Sequence, residues 1–147
     1  MIKLREATME DALVLFQWKN DPETIANSIT KRGVTMEEHM NWLQKVTDNP
    51  NRQLFIFEVN GAPVGQLRLD IEGSAAEISY GLAAEYRGKG LGRVLLEQAE
   101  AKADELGIEE LTAEVLSRNV ASQRLFKKLG FEEEQQETIY FYRKRYN

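Results

Sequence analysis

The most constraining feature of the sequence is a short, basic, glycine-rich segment at residues 87–92, Arg-Gly-Lys-Gly-Leu-Gly. It lies between an alternating, strand-like run at residues 77–82 and a long amphipathic helical pattern that begins near Leu91. Glycine removes the side chains that keep a backbone away from a ligand. The first N–H groups of a helix are unpaired and lie at the positive end of its dipole. With the charges of Arg87, Lys89 and Arg93, the segment predicts a phosphate-binding turn.

Two common nucleotide-binding motifs do not fit this turn. The P-loop pattern Gly-x-x-x-x-Gly-Lys-Ser/Thr is absent from the sequence. Gly88-x-Gly90 also lacks the third glycine of the dinucleotide fingerprint, because Arg93 stands at that position. Considered alone, the segment is either a phosphate site or an ordinary turn.

Periodicity along the chain predicts a mixed α/β fold in the order strand, two or three helices, three strands, helix, strand, helix, two strands. The expected strands include residues 2–7, 54–57, 77–82, 111–115 and 139–143, with a hairpin at Asn60-Gly61. The expected helices are residues 8–19, a short piece through Ile29, one opened by a capping box at 35–38, one from Leu91 to the stop at Gly107, and one capped by Asn119. We expect a loop at 31–33, an acidic turn at 132–137, and inward-facing Leu106 and Ala121.

Composition limits the classes of partner. We expect one domain over residues 1–147, and the net charge of −5 argues against a protein that coats nucleic acid or an anionic membrane. Without cysteine the chain has no disulfide, thiolate metal site or cysteine nucleophile. Apolar runs are shorter than a membrane span. We therefore expect a cytoplasmic protein, monomer or homodimer, with no metal.

A second pattern lies downstream of the turn, Asn119-x-x-Ser122-x-x-x-Phe126-x-x-x-Gly130-Phe131. Together with residues 80–92, Tyr-Gly-Leu-Ala-Ala-Glu-Tyr-Arg-Gly-Lys-Gly-Leu-Gly, it strongly resembles the GCN5-related N-acetyltransferase (GNAT) superfamily. The resemblance is strongest over residues 76–131. It implies an α/β fold with a central, mostly antiparallel twisted sheet flanked by helices, and acetyl-CoA as cosubstrate.

The resemblance also implies which residues hold the coenzyme. Backbone amides of residues 87–92 would bind the pyrophosphate, and backbone near Leu82 and Ala83 would pair with the pantetheine arm. Asn119 would contact the pantetheine or cap its helix, or do both. The expected coenzyme-binding residues are Leu82, Ala83, Arg87, Gly88, Lys89, Gly90, Leu91, Gly92, Asn119 and Ser122.

Acetyl transfer to an amine needs a base, because an alkyl ammonium with a pKa near 10 is mostly charged at neutral pH. Glu77 is the candidate base, directly or through water, since it lies on the predicted ligand-facing side of its strand; the alternative is a solvated strand carboxylate. Ser79, two residues on along the same face, would relay a proton or orient the amine. A backbone N–H near Leu82 would stabilise the developing oxyanion.

Phe126 departs from the superfamily pattern, in which a tyrosine at this helix position protonates the leaving thiolate. Phenylalanine has no proton to donate. Either Tyr140 or Tyr142 on the last strand supplies the proton, or the thiolate leaves unassisted, which a thiol pKa near 8.5 allows.

The N-terminal helices, which usually form the acceptor wall in this superfamily, offer Trp18 and His39 as candidate substrate contacts; packing is the alternative for both. Residues 18–23 and 38–43 resemble the branch that acetylates UDP-linked 4-amino-dideoxy sugars and, less closely, the ribosomal-protein N-terminal acetyltransferases. The expected function is direct acetyl transfer to a small primary amine, such as a nucleotide-linked amino sugar. The alternatives are a protein N-terminal or lysine acetyltransferase and a non-catalytic acetyl-CoA-binding module.

Overall fold

A seven-stranded sheet in the order β1-β2-β3-β4-β5-β7-β6 organises the computed structural model, which describes residues 1–28 and 32–146. The strands are β1 (Ile2–Glu6), β2 (Arg52–Val59), β3 (Ala62–Glu72), β4 (Ala75–Leu82), β5 (Glu110–Leu116), β6 (Glu132–Gln135) and β7 (Ile139–Arg145). Neighbouring strands are antiparallel except β4 and β5, which are parallel. This is the predicted mixed α/β fold with a mostly antiparallel sheet.

Helices cover both faces of the sheet. They are α1 (Ala12–Lys19), α2 (Pro22–Ala26), α3 (Met36–Asp48), α4 (Leu91–Glu105) and α5 (Val120–Lys128), with short 3-10 helices at Met9–Asp11 and Ala84–Tyr86. One face packs against α4 and α5 around Leu67, Leu95 and Phe126, and the other packs Leu54 and Ile56 against α1 and α3. Within the described residues, no helix is long and apolar enough to cross a bilayer.

Several local predictions are confirmed. The capping box of α3 is formed, since Glu38 N–H donates to Thr35 Oγ1 at 3.2 Å and Thr35 N–H donates to Glu38 Oε1 at 2.9 Å. At the β2–β3 hairpin, Asn60 and Gly61 have φ angles of 53° and 83°, as a two-residue turn of this type requires. The predicted element order is therefore reproduced, including the helix stop at Gly107, where φ is 74°.

Other local predictions are wrong. The acidic segment at 132–137 contains strand β6, because Glu132 lies opposite Arg143 and the Tyr142 hydroxyl donates to Glu133 at 2.7 Å. Leu106 is 43% exposed because α4 ends at Glu105, and Ala121 is exposed. The extension of the short helix to Ile29 and part of the loop at 31–33 lie outside the described residues.

Candidate active site

Strands β4 and β5 separate after only three paired residues. Their parallel pairing joins Ala75 to Glu110 and continues through Glu77, opposite Thr112. On its other edge, β4 stays paired with β3 as far as Leu82. From residue 78 onward, the β5-facing edge of β4 thus has no strand partner among the described residues. Such an edge can hydrogen-bond an extended ligand.

A cleft of about 1060 Å³ opens at this separation and extends to the glycine turn. Its walls come from β4, β5, the beginning of α5, the turn itself and the N-terminal helices. The lining includes several residues predicted to be functional: Ser79, Leu82, Arg87, Gly88, Gly90, Gly92, Asn119 and Ser122. The structure therefore brings most of the predicted coenzyme-binding residues to one cavity.

The glycine turn has the geometry expected of an anion cradle. Gly88 and Gly90 have φ angles of 74° and 81°, and Gly90 is the N-cap of α4. A Cβ at either position would meet nothing within 4 Å, so the backbone conformation requires these glycines, and the space beside them is open. Gly92 has a packing role, because its Cβ would lie 3.0 Å from Leu125 Cδ1. An open, glycine-rich helix N-terminus fits the phosphates of acetyl-CoA.

The Arg87 side chain points from the glycine turn to α2. Its Nη2 donates to Asp21 Oδ2 at 2.9 Å and to Thr24 Oγ1 at 3.0 Å, and its Nη1 lies 2.6 Å from Glu23 Oε2. These carboxylates neutralise the charge of the Arg87 side chain, which was expected to help bind phosphate. Only the backbone of Arg87 remains a candidate for coenzyme contact.

Three residues predicted to hold the coenzyme do not contribute to the lining of the cleft. Ala83 is buried, its N–H donates to Val64 O at 2.8 Å and its carbonyl accepts from Tyr86 N–H at 3.0 Å. Both backbone groups of Ala83 therefore already have a partner within the protein, and a coenzyme contact by Ala83 stays a prediction. Lys89 and Leu91 lie outside the lining of the cleft.

A pair of hydroxyls lines the cleft at the start of α5. The Tyr80 hydroxyl and Ser122 Oγ lie 2.5 Å apart, and Asn119 Oδ1 caps α5 by accepting from Ser122 N–H at 3.4 Å. Burial raises the pKa of Tyr80. Tyr80 was not singled out from the sequence as a functional residue, because its alternation with Ile78 and Leu82 is that of a core residue.

The candidate proton donors on the last strand lie away from this cleft. Tyr142 is 1% exposed and bonded to Glu133, and neither Tyr140 nor Tyr142 lines the cleft as the described residues define it. Phe126 is also buried, with its ring stacked on Tyr142 at a centroid distance of 5.2 Å. The prediction that Phe126 serves packing is confirmed.

Glu77 belongs to a ladder of polar residues that faces the N-terminal helices. In the β3–β4 register, Asp70 lies opposite Glu77, Arg68 opposite Ser79, and Gln66 opposite Gly81. Burial is the largest cause that raises the pKa of Glu77. Repulsion from Glu114 and Asp70 raises it further, whereas the positive charge of Arg68 lowers it.

Glu77 itself is not part of the cleft lining. Ser79 and Glu114 contribute to the lining, whereas Glu77 does not. The role of Glu77 as a base, directly or through water, therefore stays a prediction. Glu114 was not singled out from the sequence, where it only alternates with the apolar residues Ala113 and Val115.

A smaller cavity of about 70 Å³ lies beside the cleft, and Trp18 and Lys19 line it. His39 is 0% exposed, its Nε2 donates to Ala12 O at 2.8 Å, and its ring lies 5.9 Å from that of Trp42. The predicted substrate contact by His39 is therefore wrong, because the ring lies in the core between α1 and α3. Among the described residues, no cluster of three His, Asp or Glu side chains is arranged to hold a metal ion.

Residues 12–131 match the model of the Acetyltransferase (GNAT) family, and the chain belongs to that family. YwnH of Bacillus subtilis (strain 168), provisionally named a phosphinothricin acetyltransferase, is 34% identical over 107 residues, which cover 68% of this chain and 64% of YwnH. The chain thus spans less than two thirds of the length of the curated relatives it matches.

Solved structures share the fold over nearly the whole chain. An acetyltransferase from Thermus thermophilus is 26% identical, with a TM-score of 0.84 and coverage of 99% of this chain and 97% of that chain. Spermidine N-acetyltransferase from Vibrio cholerae, solved with CoA and spermine, is 18% identical, with a TM-score of 0.91 and coverage of 98% and 95%. At that identity the second comparison shows the fold alone.

Proposed function

We propose that this protein is an acetyl-CoA-dependent N-acetyltransferase that acts directly on the primary amine of a small molecule. The observation that carries the proposal is the single cleft that joins the separation of β4 and β5 to the open glycine turn at the N-terminus of α4. The membership of the family supports the same activity. The nucleotide-linked amino sugar stays a prediction for the acceptor.

The donor side of the cleft would be held mainly by backbone. The amides of residues 88–92 and the N-terminus of α4 would bind the phosphates of acetyl-CoA. The Ala83 N–H points toward β3, and successive N–H groups of a strand point to opposite edges. The Leu82 N–H therefore points toward the cleft, where it would donate to the thioester oxygen. When bound, acetyl-CoA supplies the acetyl group as a thioester.

The acceptor side would be served by the polar ladder on β3 and β4. Glu77 would take the ammonium proton through water, and Ser79, which lines the cleft, would orient the amine. The amine nitrogen forms its bond to the carbonyl carbon as the carbon–sulfur bond breaks. The Tyr80–Ser122 hydroxyl pair would donate a proton to the departing thiolate, since Phe126 cannot, and would recover a proton from solvent, to which the acetylated nitrogen releases its second proton.

Free-thiol release from acetyl-CoA tests the proposal, with product masses measured for small primary amines, amino-sugar nucleotides, lysine peptides and peptides with free N-termini. We expect stoichiometric release of thiol and N-acetylation of one or more small amines. Transfer to peptides alone would overturn the choice of a small acceptor. Tight acetyl-CoA binding without transfer to any acceptor would overturn the enzymatic function in favour of a binding module.

A further inference from the structure

The small cavity beside the cleft has an excess of positive charge. Lys19 from α1 and Arg68 from β3 both line it, together with the ring of Trp42 from α3. Its wall is shared with the larger cleft, because Lys19, Arg68 and Gly81 line both cavities. A group bound here would therefore be continuous with a ligand in the cleft.

Lys19 is the more unusual of the two cations. Its Nζ lies 2.9 Å from the centroid of the Trp42 ring, and among residues 1–28 and 32–146 no carboxylate pairs with it. Burial lowers the pKa of Lys19 to about 7, and the positive charges of Arg68 and Arg52 act in the same direction. A partly buried ammonium without a counter-ion is costly, so a bound anion would stabilise it.

Arg68 shares its counter-ion, Asp70, with Arg52. Its Nε donates to both oxygens of Asp70, at 3.1 and 3.2 Å, while Arg52 Nε donates to the same carboxylate at 3.1 Å. Its Nη2 has only a long contact of 3.4 Å, to Ser79 Oγ. Two arginines thus share one carboxylate, and the guanidinium edge of Arg68 retains capacity for a further oxyanion.

We propose that the small cavity binds a carboxylate of the acceptor through Lys19 and Arg68, so that the substrates are amino-acid-like primary amines. This inference rests on the function proposed above. In this arrangement the carboxylate of the acceptor contacts Lys19 and Arg68. The amine of the acceptor lies beside Ser79, on the same polar ladder as Glu77. Cationic polyamines would be repelled by the same charges.

The size of the cavity agrees with this choice. Its volume of about 70 Å³ is several times the ~10–15 Å³ that one water molecule needs, which is enough for a carboxylate. A sugar nucleotide would have to lie in the larger cleft. Leu15, Trp18 and Leu82 also give the cavity an apolar wall, along which the carbon atoms next to a carboxylate can pack.

Matched amines with and without a carboxylate test the inference. The pairs are L-phenylalanine with 2-phenylethylamine and L-methionine with 3-(methylthio)propylamine. We expect kcat/KM to favour the amino acid by about 10- to 100-fold, the range of charge-assisted hydrogen bonds. Lys19→Met should remove most of that preference and leave the acetyl-CoA Kd unchanged, whereas Lys45→Met, an exposed lysine on α3, should preserve the preference.

A binding measurement separates this inference from the proposed function. Calorimetry with phenylacetate and with benzyl alcohol should show binding of the carboxylate to the unaltered protein and its loss in Lys19→Met. Such binding without acetylation of any amine would support the anion site and count against the proposed enzyme. Equal kcat/KM within the pairs, phenylacetate binding that survives Lys19→Met, or a weakened acetyl-CoA Kd in that variant would each overturn the inference.

Discussion

Arg87 Nη2 lies 2.9 Å from Asp21 Oδ2, and this ion pair joins the glycine turn to the residue that precedes α2. Asp21 is also the N-cap of α2, where its side chain accepts from Thr24 N–H at 3.0 Å. The Arg118 guanidinium holds the other end of α2 through the carbonyl of Ala26. The short α2 helix is thus held at one end by the glycine turn and at the other by the segment between β5 and α5.

Arg87→Ala should weaken acceptor binding more than coenzyme binding. The side chain contacts only α2, whereas the coenzyme would use the Arg87 backbone. We expect a rise of about two- to fivefold in acceptor KM, matching the ~0.2–1 kcal/mol of a partly exposed ion pair. Steady-state kinetics and acetyl-CoA titration measure the two effects, with Arg145→Ala, which breaks an exposed pair on β7, as the control. A loss confined to acetyl-CoA affinity would contradict this role.

Gly90→Ala should selectively weaken acetyl-CoA binding. Both Gly90 and Gly61 have left-handed backbones, with φ angles of 81° and 83°, and at both positions a Cβ would meet open space. Alanine should therefore cost each site a similar ~1 kcal/mol of folding stability. Only Gly90 lies in the candidate phosphate turn. Thermal unfolding and acetyl-CoA titration of Gly90→Ala and Gly61→Ala compare the two effects, and equal Kd values would make the turn merely structural.

The sequence predicted the donor half of this site better than the acceptor half. The roles of Gly88 and Gly90 could be predicted because their backbone conformation requires glycine. The role of Asn119 could be predicted because a helix cap is a local interaction. Lys19 and Arg68 are far apart in the sequence, and ordinary spacing gives no sign that they share a cavity. His39 was placed wrongly for the same reason, since its burial depends on how α1 packs against α3.

If Glu77 is the base, log kcat/KM should rise more steeply with pH on the acidic side of the pH–activity profile. A base must be deprotonated, and burial together with Glu114 and Asp70 raises the pKa of Glu77 above its ordinary 4.5. The amine must also lose a proton, so the slope of log kcat/KM against pH should approach two below the pKa of Glu77 and one above it. Glu114→Gln should move this break to lower pH, because it removes a repelling charge.

Glu77→Gln tests the same assignment by activity. We expect turnover to fall by about 10²–10⁴-fold and the slope to stay near one throughout. Glu132→Gln, at an exposed position on β6, serves as the control. A loss of less than threefold at saturating amine, or a larger loss in Glu114→Gln, would assign the base elsewhere.

Tyr80→Phe should slow the release of the thiolate. The variant removes the hydroxyl that pairs with Ser122 and keeps the ring packed against Phe126, at a centroid distance of 6.1 Å. We expect kcat to fall by about 10-fold, less than for a typical general acid, because a thiol is a good leaving group. Tyr140→Phe is the matched loss of a hydroxyl outside the cleft lining, and equal kcat values in the two variants would contradict the role of Tyr80.

His39→Gln should alter the pH dependence of stability with little effect on catalysis. Burial lowers the pKa of His39 below its ordinary 6.5, so the unfolded chain binds a proton that the folded chain resists. The free energy of unfolding should therefore decrease as pH falls through 6.5, by at most ~1.4 kcal/mol per pH unit for one proton. The carboxylates with lowered pKa values titrate below this window, and His39 is the single histidine of the chain. Lys19, whose pKa is lowered to about 7, adds to the slope near neutral pH, so the slope below pH 6.5 is the one that reports on His39.

Denaturant unfolding between about pH 5 and 7.5 measures this slope. In His39→Gln the slope should flatten, while a glutamine amide can still donate to the Ala12 carbonyl that Nε2 now contacts. Acceptor KM should stay within about twofold, because the ring lies in the core. A tenfold rise in KM with an unchanged stability profile would return His39 to the acceptor site, and an unchanged slope alone would mean that the folded protein protonates His39 as readily as the unfolded chain.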